Sequence, residues 1–187
     1  MFGKIIGTGS YVPKEIVTNK DLAQYLDTDD TWIRERTGVK SRHISGDKET
    51  TADMAVKAAE KALENSGLLP DEIDLIIVSS VSSNLVLPST ACFVQKAINA
   101  KNAFCFDINV ACTGFITAYN ISQTFINTGL INTALIIGAE SLSKITDWSD
   151  RKTCILVGDG AGAVVIKKDE NAMFETVMFS NGKNGDR

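Results

Sequence analysis

Two short, uninterrupted apolar runs constrain this chain more than any other feature. They are Leu75-Ile76-Ile77-Val78 and Ala134 to Ala139. Apolar residues at every position, rather than at alternate ones, mark strands buried on both faces, as in parallel sheets sandwiched by helices. The stretch before the first run supplies such a helix. From Thr51 to Asn65, Ala55, Ala58, Ala59, Ala62 and Leu63 form an apolar stripe. Lys57, Glu60, Lys61 and Glu64 form the wet side, and Gly67 is the stop signal. The same rhythm fills the rest of the chain. Strands are predicted at Lys4 to Thr8, Asp74 to Val81, Phe104 to Val110 and Ala134 to Ala139. Helices are predicted from Asn19 (as cap) to Leu26, from Asp30 to Arg36 between Asp29 and Gly38, from Ser89 to Ile98, and from Thr113 to Thr128. Two closing strands, Gly162 to Lys167 and Phe174 to Phe179, are placed to pair antiparallel. The expectation is an α/β fold, with a mixed, mostly parallel sheet and helices on both faces.

The chain has 187 residues, enough for one well-buried domain. No apolar run approaches the ~20 residues needed to span a bilayer. Met1 to Ile6 lacks the layout of a signal peptide and reads as a first strand in the cytoplasm. The net charge of −4 and the lack of a long basic run argue against nucleic acid as a partner. Arg34, Arg36, Lys40 and Arg42 gather locally and read as a solvated face. Trp32 and Arg36 stand one helical turn apart and share a face.

Four cysteines show neither CxxC pairing nor metal-ligand spacing. Cys92, Cys105 and Cys154 sit among apolar residues, the setting of buried, inert thiols. Cys112 is different. The segment Phe106 to Phe115 passes from strand to helix with almost no loop, placing Cys112 at a carboxyl strand end and at a helix N-terminus. The first is where ligands bind in α/β sheets; the second stabilises a thiolate. Small neighbours, Ala111 and Gly114, allow close approach, as in a nucleophile elbow. Residue type and context leave two readings open: a reactive thiol, or a small hydrophobe filling a tight turn.

A resemblance decides between them. Ala111-Cys112-Thr113-Gly114-Phe115 resembles the A-C-x-G-F active-site pattern of beta-ketoacyl-acyl-carrier-protein synthase III, in the thiolase-like superfamily. Further segments resemble the family in the same order: Gly7 to Pro13, Asp29 to Gly38 with Arg42-His43, Pro88-Ser89, Asp150-Arg151, and Gly158-Asp159-Gly160-Ala161-Gly162-Ala163. The resemblance implies a condensing enzyme of fatty-acid synthesis initiation. Cys112 accepts an acyl group from acyl-coenzyme A, and malonyl-acyl-carrier protein then condenses with it after losing CO2. It implies no cofactor beyond coenzyme A itself, which enters as substrate, and it implies a homodimer. Carried over by position, Trp32 stacks on adenine, Arg36 and Arg151 surround the nucleotide, and Thr28 is a nearby ligand contact. Leu87 walls the acyl pocket of the partner subunit, where an aromatic side chain is common in acetyl-preferring members.

The departure is length. The family's catalytic His and Asn come from a second, similar half absent from these residues, so the 187 residues read as one N-terminal thiolase-like domain. The single histidine, His43, is expected to be packed at a surface or loop rather than to serve as a base. A half-sheet without its duplicate would expose apolar surface. Two alternatives remain: a related thiolase-fold enzyme, such as hydroxymethylglutaryl-coenzyme A synthase or a secondary-metabolite ketosynthase, and a non-catalytic fragment or subunit.

Overall fold

A computed structural model describes residues 1–184. In chain order the elements are β1 (Phe2–Tyr11), β2 (Glu15–Thr18), α1 (Asn19–Leu22), α2 (Asp30–Thr37), β3 (Ser41–Ile44) and α3 (Thr51–Ser66). Then follow β4 (Leu75–Ser79), α4 (Thr90–Ile98), β5 (Phe104–Ile108), α5 (Gly114–Asn127), β6 (Thr133–Ser141) and β7 (Asp159–Asp169). Five strands form one sheet in the order β1-β7-β6-β4-β5, and β2 and β3 form a separate antiparallel pair. Strand β4 runs parallel to both β5 and β6, whereas β7 is antiparallel to β6 and β1. The sheet is therefore mixed, with only β7 reversed.

The apolar runs are buried on both faces because each face has its own helices. Ile76 and Val78 of β4, with Leu135 and Ile137 of β6, pack with α3 and α4 through Met54, Ala58, Ala62 and Val94. Their alternates, Leu75, Ile77, Ala134 and Ile136, pack with Ala118 and Ile126 of α5 on the other face. Full burial of each Leu or Ile side chain contributes about 1.5–3 kcal/mol. The alanine stripe of α3 brings its backbone close to β1, and Gly7 and Gly9 make room. A Cβ at either glycine would collide with the α3 backbone.

Most boundaries follow local chemistry. Thr50 caps α3 in a reciprocal pair with Asp53, and Gly67 closes the helix at φ 71°. Asp29 caps α2 through the Trp32 amide at 2.8 Å, and Gly38 ends it at φ 74°. Ser89 caps α4.

Three expectations change. First, Thr18 rather than Asn19 caps α1, which ends at Leu22. Asn19 is instead a buried hub whose amide donates to Asp30 Oδ1 at 2.9 Å and to the Val39 carbonyl at 2.8 Å. Second, Phe174 to Phe179 forms no strand. Both edges of β7 are already taken by β1 and β6, so no ladder position is left beside it; the Phe174 ring instead packs on Phe2 and Tyr119. Third, Arg42 leaves the basic surface group and is only 5% exposed. Its guanidinium donates to the Val17 carbonyl at 3.2 Å, Asn19 Oδ1 at 2.9 Å and the Ile155 carbonyl at 3.0 Å. Hydrogen bonds to neutral oxygens thus offset part of the desolvation cost of a buried cation.

Candidate active site

The sheet delivers Cys112 to the carboxyl end of β5. After Ile108 the chain turns through Ala111–Thr113, a short 3-10 turn, directly into α5. Ala111 has φ 47°, in the left-handed region. For a residue with a Cβ this costs roughly 1–2 kcal/mol. Gly114, buried just after it, sets how closely α5 approaches the sheet. A Cβ there would collide with Ser79 Oγ and lie 2.8 Å from Ser79 Cβ, so only glycine lets α5 start against the end of β4. The result is a tight elbow with Cys112 exposed on it.

The other thiols differ. Cys154 is buried, and its pKa is raised, first by burial and then by the Asp150 charge. Cys105 is half-buried, and burial pushes it up to about 11. His43 lies on β3, where its Nδ1–H donates to the Pro13 carbonyl at 2.6 Å, a structural contact as expected.

A second cluster forms around Trp32. Arg36, one turn along α2, places its guanidinium carbon 4.3 Å from the indole centroid, and Arg151, from the β6–β7 connection, lies 5.3 Å from it. Arg151 also donates to the Asp27 carbonyl and, at 3.0 Å, to Asp27 Oδ2. A half-buried indole with two guanidinium groups close to its ring joins an aromatic plane to positive charge, a combination suited to an aromatic anion such as a nucleotide. Thr28 follows Asp27. Its hydroxyl is buried and has no hydrogen-bond partner among the described residues.

This cluster depends on how the β2–β3 side of the molecule is fastened to the sheet. Arg42 joins β2 and Asn19 to Ile155. Asp159, at the start of β7, accepts from the Ser45 amide and hydroxyl, both at 2.7 Å, and from the Ser143 amide at 2.9 Å and hydroxyl at 2.5 Å. Leu87 stands apart from Trp32, in the connection between β4 and α4, and is 81% exposed. Among the described residues no group of His, Cys, Asp and Glu is arranged to hold a metal ion.

A family model described as 3-oxoacyl-[acyl-carrier-protein] synthase III matches residues 106–182. A beta-ketoacyl-[acyl-carrier-protein] synthase III from Clostridium acetobutylicum is 55% identical over 184 residues, covering 98% of this chain and 56% of the relative. The chain matches the N-terminal half of the synthase III family. Agreement extends to structure. The crystal structure of the synthase III from Aquifex aeolicus VF5 is 50% identical, with a TM-score of 0.88, over 90% of this chain and 55% of that one. The priming beta-ketosynthase of the R1128 polyketide pathway is 36% identical, with a TM-score of 0.87, over 90% of this chain and 50% of that one. The chain thus spans about half the length of the synthase III relatives it matches. Its fold is the thiolase-like α/β fold of those neighbours.

Sequence reasoning missed two carboxylates near the elbow. Asp107 on β5 accepts from the Thr90 and Ala91 amides at 2.6 and 2.8 Å, fixing the start of α4. Glu140 on β6 accepts from the Val81 amide at 2.9 Å and from the hydroxyls of Ser80 and Ser82. Both are acids set in or just after an apolar strand. That position was the available signal, because a carboxylate there needs hydrogen-bond donors.

Proposed function

We propose that this chain contributes the acyl-accepting half of a condensing enzyme that initiates fatty-acid synthesis. The observation that carries the reading is the exposed Cys112 on the Ala111–Gly114 elbow. The thiolate attacks the carbonyl of an acyl-coenzyme A, the coenzyme A thiolate leaves, and the acyl group remains on Cys112 as a thioester. Malonyl-acyl-carrier protein loses CO2, its carbanion attacks that thioester, and Cys112 departs again as thiolate. The Cys112 backbone N–H, at the helix start, faces the developing oxyanion. Trp32 stacks on the adenine, with Arg36 and Arg151 on the phosphates and Thr28 at the ligand's edge. Coenzyme A enters as substrate, and no further cofactor takes part. The His and Asn donors that assist decarboxylation in the family come from outside these residues. The working unit is a cytoplasmic homodimer in which Leu87 walls the partner's acyl pocket. Its side chain leaves room for a longer or branched primer.

The test uses the complete encoded polypeptide with acetyl-, isobutyryl- or hexanoyl-coenzyme A and malonyl-acyl-carrier protein. Formation of beta-ketoacyl-carrier protein, abolished in Cys112→Ala, supports the reading; no product with any primer overturns it. Turnover with acetyl-coenzyme A equal to or better than with the larger primers contradicts the role given to Leu87. Similarity to the R1128 ketosynthase favours one second reading, a secondary-metabolite ketosynthase. A strong preference for a polyketide carrier protein would select it.

A further inference from the structure

The connection between β4 and α4 has fastened ends and a bare tip. At the tip Leu85, Val86 and Leu87 are exposed, Val86 by 96%. At the leading end every hydrogen bond to the Glu140 carboxylate from the described residues comes from Ser80, Val81 or Ser82. Ser82 Oγ in turn accepts from the Ser141 amide at 2.7 Å, tying the segment to the end of β6. From α3, the Thr51 hydroxyl donates to the Ser82 carbonyl at 2.7 Å, and its amide donates to Asn84 Oδ1 at 2.9 Å. The trailing end is held separately, by Asp107 on the first amides of α4. Between this segment and the end of β5 lies a cavity of about 330 Å³, lined in part by Val81, Leu85, Val86, Asp107 and Asn109. Asn109 leads directly into the Cys112 elbow.

We infer that Glu140 is a positioning residue: it fixes the base of the Leu85–Leu87 tip and thereby sets which acyl chains enter the acyl pocket that Leu87 walls in the partner subunit. The inference rests on the reading of Leu87 as a wall of an acyl pocket. An amide in place of the carboxylate retains one acceptor oxygen but sets an NH2 group among donors. With its oxygen kept on the Val81 N–H, its NH2 group faces the two serine hydroxyls, which can rotate to accept, so the bonds persist without the charge that strengthens them. Because Asp107 still holds the trailing end and Thr51 still holds Ser82 and Asn84, weakening the Glu140 anchor loosens the tip rather than unfolding the segment.

The experiment compares wild type, Glu140→Gln and Ser82→Ala in the complete encoded polypeptide. The rate of Cys112 acylation is measured with acetyl-coenzyme A and with isobutyryl-coenzyme A. Backbone hydrogen exchange over residues 81–88 is followed in parallel. A purely structural role lowers both rates together. Positioning changes their ratio, by roughly fivefold in Glu140→Gln, the weakening expected when charge-assisted hydrogen bonds become neutral ones. Ser82→Ala shifts the ratio the same way by less, and exchange quickens over 81–88. A wild type that acylates, with ratios within about twofold in both variants, overturns the inference alone. A wild type that takes no acyl group overturns the functional reading, and this inference with it. If Glu140→Gln fails to fold, Ser82→Ala decides.

Discussion

At the scale of single residues, Gly114 and Ala111 create the elbow, and their roles differ in how they can be tested. Gly114→Ala forces a methyl group into Ser79 and is expected to cost about 1–3 kcal/mol, read as a lower urea midpoint at unchanged slope. An unchanged midpoint would mean that α5 can back away from β4. The thiols give a second prediction. With Cys105 pushed up to about 11, only about one in a thousand of its thiols is ionised at pH 8. Cys154 is buried and is also shifted upward. Iodoacetamide at that pH is therefore expected to modify Cys112 well before Cys105 or Cys154, as peptide mass spectrometry would record. The placement of Cys112 and Gly114 on a strand-to-helix turn was legible in the sequence, whereas the choice of a reactive thiol over a space-filling one rested on the resemblance to the family. The left-handed backbone of Ala111 was not legible, since alanine disfavours that region and its residue type therefore gives no sign of it. Arg42 was misread for a related reason. A charged residue in a basic stretch looks solvated until Val17, Asn19 and Ile155 are seen to converge on it.

At the scale of elements, α2 and the β6–β7 connection together build the Trp32 cluster, and the Asp159 junction holds that region to the sheet. Trp32→Ala should weaken coenzyme A binding about tenfold by calorimetry, the loss expected for one stacking plane. Affinity unchanged by that substitution would remove Trp32 from the ligand site. Asp159→Ala strands four donors from Ser45 and Ser143 and should cost about 3 kcal/mol in denaturant unfolding. A loss below about 1 kcal/mol would show that water or a neighbouring group replaces the carboxylate. Helices with amphipathic stripes and caps, and strands with unbroken apolar runs, were readable because local chemistry and tertiary burial agree there. Phe174 to Phe179 was not, because exposed aromatics in sequence imitate a strand whether or not a neighbouring strand has a free edge.

At the scale of the molecule, both faces of the sheet carry helices, yet apolar side chains remain outside. Phe115 and Ile116 are exposed at the start of α5, as are Val86 and Leu87 at the tip before α4. Relatives of which the chain covers 56% include regions with no counterpart in these residues. The 187-residue chain prepared alone is expected to self-associate, with sedimentation coefficients that rise with concentration. The sheet class follows from the sequence pattern. The reversal of β7 between β1 and β6 does not, since it is settled by long-range pairing. The central claim is that this architecture presents Cys112 as the acyl acceptor. Intact-mass spectrometry of the protein after incubation with acetyl-coenzyme A tests it most directly. The account predicts a single acetyl adduct that maps to Cys112, is released by hydroxylamine and is absent from Cys112→Ala. No adduct on the folded wild-type protein, or an adduct that persists in Cys112→Ala, would contradict it.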